Sequence, residues 1–310
     1  PLTVFRLRDE DQIAVLEMGI SDFGEMARLT KIAKPDTCVI TNIGTCHLEN
    51  LGDRDGVLKA KTEIFQSMKP NGHIVLNGDD DKLITVREYN GVKPVFFGLN
   101  SERDVYADQI ESKGLKGVAC RIHLGEDAFD VLVPTPGIHM VYNALAAAAV
   151  GRIYGLTIEE IRRGIESLET IRGRFKMIET DKFLVVDDCY NANPMSMKAS
   201  LDVLHDGEGR RVAILGDMGE LGEDEAALHE GVGIHAATCG IDACVCVGDL
   251  AVHIAEAARK ANPDFPVYYE KTRESLLEHL NDYVQKGDTI LVKASHFMKF
   301  EEVVKALEEM

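Results

Sequence analysis

The chain contains no tryptophan, which by itself marks no class, and its 27 glycines are unremarkable for 310 residues. No apolar run approaches the roughly 20 residues that a bilayer-spanning helix needs. The first ten residues, PLTVFRLRDE, are too polar for a signal peptide. No block of Lys and Arg offsets a formal net charge of −18, which argues against nucleic acid or anionic membrane as a main partner. A small anionic substrate is still compatible, because a few local cations outweigh a distant field. No C-x-x-C occurs among the seven cysteines, Cys38, Cys46, Cys120, Cys189, Cys239, Cys244 and Cys246. Their odd number, and their place in apolar runs such as ACVCVG, fit scattered reduced thiols in a cytoplasmic protein and argue against structural zinc. No G-x-x-x-x-G-K-[ST] phosphate loop, internal repeat or low-complexity segment is present.

What remains is a globular composition, 45% hydrophobic, long enough for about two domains. IAVLEMG (13–19) reads as an interior strand, and a buried run so early leads us to expect that sequence precedes Pro1. Strands at 37–43, 73–77 and 94–98 then alternate with a helix at 56–69. Shorter β pieces between 104 and 133 suggest a small antiparallel elaboration. Helices follow at 138–154 and 157–168. From Arg172-Gly173-Arg174 onward, strands at 183–186, 211–215, 243–247, 267–269 and 289–292 alternate with helices. That rhythm implies an α/β fold with right-handed crossovers and largely parallel sheets. The expected division is residues 1–172 and 173–310.

Polar residues at strand ends are the natural candidates for chemistry. In LVVDDCYNANPMSM (184–197), an apolar strand stops at Asp187 and Asp188, and Tyr190, Asn191 and Asn193 follow. Asp188 reads either as an acceptor for a ribose hydroxyl or as half of an ion pair with Arg174. Arg174 is a planar donor able to reach a phosphate. Glu17 is either a solvated strand-end acid or a Mg²⁺ ligand. His47, in TNIGTCHLENLG, is a loop histidine or a metal ligand or acid–base. Lys61, in KAKTEIF, is a surface lysine or, if its pKa is low enough to react with CO₂, a carbamate ligand. His139 and Asn143 share one helix face after PTPG, as ordinary first-turn polarity or as readers of adenine. The acidic loop AILGDMGELGEDE (213–225) is no phosphate cradle.

The order of these pieces resembles one family. Glu17 in LEMG, His47 in NIGTCHLE, Lys61 in AKTEIF, Asn143 in GIHMVYNALAA, Arg174 in GRF and Asp188 in DDCYNANP are together similar to the Mur ligases of bacterial peptidoglycan synthesis. DDCYNANPMSM, LGDMGELGEDEAALHE and VKASHFMKFEEVV point to the branch that adds D-alanyl-D-alanine to UDP-N-acetylmuramoyl-tripeptide. The resemblance implies the later part of a central ATPase domain (a mostly parallel sheet with an antiparallel elaboration), then a Rossmann-like C-terminal domain. The family's UDP-binding domain and phosphate loop would lie before Pro1, so the chain alone is expected to be inactive.

The resemblance further implies ATP and two Mg²⁺ ions, or Mn²⁺, with Glu17, His47 and a carbamylated Lys61 holding metal. Lys61, His47 and Arg174 would be catalytic, and Arg174 would reach the γ-phosphate. His139 and Asn143 would contact adenine, Asp188 the ribose, and Tyr190, Asn191 and Asn193 the dipeptide side. A cytoplasmic monomer is expected. Two positions depart from the pattern. Met140 stands where some relatives have a second Asn, and His296 where many have Arg. The alternatives are a ligase of the folylpolyglutamate or cyanophycin type, against which NANPMSM and GDMGELGE argue, and a non-catalytic nucleotide- or peptide-binding module.

Overall fold

A computed structural model describes residues 2–45 and 47–310. Pro1 and Cys46 lie outside the described residues, and so does the reading of Cys46 as a reduced thiol. The other six cysteines are unbridged, and five of them are buried. The chain forms two compact units. The first takes in the chain up to Gln109, Cys120–Val131 and Val141–Gly164, and the second takes in Ile110–Ala119, Leu132–Met140 and Ile165–Met310.

The N-terminal half opens with helix α1 (Glu25–Ala33), strand β1 (Thr37–Ile40), a short α2 (Leu48–Leu51) and α3 (Arg54–Thr62). Strands β2 (His73–Asn77), β3 (Val95–Gly98), β4 (Val105–Ser112), β5 (Val118–Leu124) and β6 (Asp127–Val133) follow in sheet order. The pairs β1–β2, β2–β3 and β3–β4 are parallel. β5 and β6 are neighbours joined by the two residues Gly125 and Glu126, so they form an antiparallel hairpin. Met26, Val57, Ala60 and Phe65 pack on Cys38, Ile40, Ile74 and Leu76, which ties α1 and α3 to β1 and β2. Helices α4 (Ile138–Ile153) and α5 (Ile158–Glu166) come after the hairpin.

The second sheet runs β11-β10-β9-β12-β8-β7. Its strands are β7 (Lys176–Glu179), β8 (Leu184–Asp187), β9 (Arg211–Gly216), β10 (Ala243–Val247), β11 (Val267–Glu270) and β12 (Thr289–Lys293). Only β7 is antiparallel, to β8. β10 and β12 are buried at every position, as strands covered on both faces must be. Alternate side chains of β9 explain how. Ala213 and Leu215 pack with α6 (Pro194–His205), α7 (Glu225–Thr238) and α8 (Ala251–Ala261), while Val212 and Ile214 pack with α9 (Arg273–Tyr283) and α10 (Glu301–Glu309). The chain leaves β8, returns two places away as β9, runs out to β11, and comes back as β12 between them. Reversals of this kind open a crevice at the carboxyl ends of the strands.

Two local readings change. Ile13–Gly19 is irregular rather than a strand, with Ile13 and Val15 63% and 93% exposed. A strand needs a ladder, and among the described residues none runs beside this stretch. The edge strand β7 and helix α1 went unread. β7 is four residues long and only half-buried, too short for a period to emerge.

Candidate functional site

In the second unit, the carboxyl ends of β8, β12 and β9 converge. The adjacent acids of LVVDDCYNANPMSM face different tasks, as alternation along a strand requires. Asp187 is buried. It accepts the Gly173 N–H at 2.8 Å and the Cys189 thiol at 3.0 Å. Gly173 has φ 78° and its carbonyl accepts the Tyr190 N–H at 3.1 Å, so the turn that delivers Arg174 is locked to the strand end. Asp188 is half-buried. Its Oδ2 accepts from Lys293 Nζ at 2.6 Å and from Ser200 Oγ at 2.7 Å. Oδ1 accepts no bond from the described residues. Lys293, the last residue of β12, is 2% exposed and also donates to the Asn191 carbonyl at 3.1 Å. The His139 ring stands within electrostatic reach of both. Burial pushes its imidazole below the ordinary value, opposed by Asp188 and reinforced by Lys293.

Arg174 does not pair with Asp188. Its guanidinium lies 4.1 Å above the Tyr190 ring, a cation–π contact, and Tyr190 meets His296 edge-on at 5.6 Å. Tyr190 and His296 are exposed. Asn191 turns its side-chain oxygen to the Ala192 N–H at 2.8 Å. Asn193 is the N-cap of α6. Its side chain accepts the Ser196 N–H at 2.9 Å, and Ser196 Oγ returns a bond from the Asn193 N–H at 3.1 Å.

The GDMGE loop is held from three sides. Asp217 is buried and accepts N–H bonds from Asp249, Leu250 and Ala251 at the start of α8. Burial pushes its carboxyl above the ordinary value, and the three N–H groups oppose that. His229 Nε2 accepts the Met218 N–H at 3.0 Å. Ser295 Oγ accepts the Gly219 N–H at 2.9 Å, and its own N–H reaches the Asp217 carbonyl at 3.1 Å. A cavity of about 350 Å³ lined by residues 134–136, 168–170 and 175–177 contains none of the site residues expected from sequence.

In the first unit, the loop after β1 is clamped at three successive residues. Asn77 Nδ2 donates to the Thr41 carbonyl at 3.0 Å and Lys61 Nζ to the Asn42 carbonyl at 2.9 Å. Ile43 gives its N–H to Asp80 Oδ2 at 2.8 Å and takes Arg54 Nε at its carbonyl at 3.0 Å. This loop leads to His47, the N-cap of α2 at φ 58°. His47 is near enough to help lower the Glu25 carboxyl, whose main cause is the Ser21 N–H. Lys61 is thus brought to the loop that carries His47. Glu17 sits on the exposed irregular stretch before it. Asn143 is exposed on α4, one turn after His139. Its neighbour Tyr142 donates to Asp79 at 3.2 Å. Among the described residues, no three His, Cys, Asp or Glu side chains are grouped to hold a metal.

The Mur ligase middle domain matches residues 1–151, and the Mur ligase glutamate ligase domain matches residues 173–296. The chain belongs to the Mur ligase family. It is 37% identical over 312 residues to the UDP-N-acetylmuramoyl-tripeptide–D-alanyl-D-alanine ligase of Bacillus subtilis, covering 100% of this chain and 67% of that protein. A crystal structure of MurF from Acinetobacter baumannii superposes with TM-score 0.90 at 32% identity, over 100% of this chain and 67% of that one. MurF from Thermotoga maritima, solved in complex with ADP, gives 0.79 at 28%, over 93% and 65%. The two mostly parallel sheets are those of a Mur ligase, as the order of motifs implied.

Sequence reasoning passed over Lys293, Ser200 and Ser295, and the clamp residues Asn77, Asp80 and Arg54. One signal was available for Lys293. It ends the apolar run TILVK as Asp188 follows LVVD, and a charge that closes a fully buried strand must be paired.

Proposed function

We propose that this Mur ligase takes part in the ATP-dependent joining of D-alanyl-D-alanine to UDP-N-acetylmuramoyl-tripeptide in peptidoglycan precursor synthesis. A tripeptide carboxylate oxygen attacks the γ-phosphorus of ATP, and ADP leaves. The dipeptide amine then attacks the acyl carbon of the acyl phosphate, losing a proton, and phosphate leaves. The observation that carries the reading is the Asp188 carboxylate, held at Oδ2 by Lys293 and Ser200 with Oδ1 left for a ligand, at the strand ends of a chain similar throughout to such ligases.

In this reading Asp188 accepts a ribose hydroxyl, and His139 and Asn143 meet the adenine. Arg174, steadied on Tyr190, offers its guanidinium to the transferring phosphoryl group. Tyr190 and Asn191 border the dipeptide, and Asn193 acts there by fixing the start of α6. Glu17, His47 and Lys61 would hold Mg²⁺ or Mn²⁺, which when bound neutralises phosphate charge. The Lys61 geometry suits a carbamate. After carbamylation its N–H can keep the bond to the Asn42 carbonyl while its carboxylate supplies the hard oxygen such ions prefer. Residues 1–172 would be the remainder of the central ATP-binding domain and 173–310 the Rossmann-like ligase domain, whose Arg174 and Asp188 also meet the nucleotide. The protein would act as a cytoplasmic monomer, where ATP and UDP-linked substrates are found.

The test is to incubate the intact protein with ATP, Mg²⁺, the UDP-linked tripeptide and D-alanyl-D-alanine, and to follow products by mass spectrometry. A UDP-linked pentapeptide formed in step with ADP is expected. ADP without pentapeptide, or pentapeptide from a single amino acid instead of the dipeptide, would overturn the assignment.

A further inference from the structure

Lys293 is a buried cation at the end of a strand buried throughout. Such a charge is tolerated only where a partner and further hydrogen bonds replace water. Here the partner is Asp188 at 2.6 Å, and the second bond is to the Asn191 carbonyl at 3.1 Å. One side chain of β12 therefore fixes both ends of the Asp188–Asn191 turn. Ser200, from α6, donates to the same oxygen as Lys293. Both protein donors fall on Oδ2, which sets the rotation of the carboxylate and leaves Oδ1 to accept from a ligand.

We propose that Lys293 is a positioning residue for nucleotide binding, orienting Asp188 so that Oδ1 takes the ribose hydroxyl. This rests on the reading of Asp188 given above. Without Lys293 the carboxylate can rotate, or turn its free oxygen to water, and the ribose bond weakens. Lys293 would act only through Asp188, so its effect must vanish when Asp188 cannot bind ribose or when the ribose lacks hydroxyls.

The test compares ATP with 2′,3′-dideoxy-ATP by calorimetric Kd on the intact protein, for the parent, D188N, K293M, K293Q and the double variant D188N/K293M. The parent is expected to prefer ATP by about 10-fold, the scale of one hydrogen bond to a charged group. D188N should abolish the preference. K293M and K293Q should remove most of it while leaving dideoxy-ATP affinity within about 2-fold, well below one such bond. In the D188N background, K293M should change nothing further. If K293M fails to fold, K293Q and the double variant decide, since the latter removes both charges together. A preference lost in D188N but intact in the Lys293 variants overturns the role of Lys293 and leaves the ribose reading standing. A preference intact in D188N overturns the ribose reading. Equal weakening of both nucleotides by K293M, in both backgrounds, would make Lys293 merely structural.

Discussion

The imidazole of His229 satisfies both of its bonds only when neutral. Nδ1 must carry the proton it shares with the Glu225 carbonyl at 2.7 Å, and Nε2 must keep a lone pair for the Met218 N–H at 3.0 Å. Burial pushes its pKa below the ordinary value. In the unfolded chain the same ring takes up a proton below about pH 6.5. The unfolded state then binds more protons than the folded one, so stability is full above that pH and is lost as pH falls toward the lower folded value. His139, also shifted down, adds to the slope in the same window. We expect H229Q to lose about 1–3 kcal/mol at neutral pH, the cost of disturbing buried hydrogen bonds. Its stability should also fall less steeply between about pH 7 and pH 5. Urea denaturation across that range measures both, and an unchanged slope would show that His229 is not the titrating group. The residues legible in the sequence were those whose signal is local, such as the acids that end LVVD. For Lys293 the sequence shows that a charge closing an apolar run must be paired, but not with what, because the partner, Asp188, lies 105 residues away.

At the scale of elements, the loop after β1 is held mainly from outside itself. Asn77 is the last residue of β2 and Asp80 lies in the turn after it, while Lys61 and Arg54 come from α3. Asp80 also accepts the N–H groups of Lys82 and Leu83, so one carboxylate anchors two turns. D80A should leave the sheet intact but speed amide exchange of Ile43 and its neighbours by about 10-fold or more, as the loss of a charged acceptor implies. Exchange confined to residues 80–83 would mean that the clamp does not steady the His47 loop. The cap of α6 is simpler. N193A should cost about 1 kcal/mol, seen as a lower denaturation midpoint, because the reciprocal pair with Ser196 is lost. The parallel alternation after Gly173 was readable because each strand is a short apolar run and each helix has its own period. The segment 13–19 misled because a short apolar run predicts an interior strand only where another strand lies alongside. The acids after β2 gave no warning either. A run of Asp looks the same in sequence whether it is solvated or clamping a loop.

For the molecule as a whole, the dominant long-range term is charge. With 34 Lys and Arg against 52 Asp and Glu, the chain carries a formal charge of −18, and the ion pairs among the described residues are mostly at the surface. Such pairs contribute about 0–1 kcal/mol each and weaken with salt. Repulsion among the excess carboxylates acts over longer distances and opposes compaction. Salt therefore acts in two directions, and the excess of acids decides the sign. Raising ionic strength from about 0.01 M to 0.15 M shortens the Debye length from about 30 Å to about 8 Å. That cut removes most repulsion between distant acids, while contacts of 2.5–3.0 Å lose less. We expect Tm to rise over this interval, with sodium chloride and potassium chloride alike, because screening is not ion-specific. A fall in Tm would mean that the surface pairs outweigh the net charge. A rise with Mg²⁺ far beyond that of a monovalent salt at equal ionic strength would instead point to specific binding, and its loss in a Glu17, His47 or Lys61 variant would locate the ion.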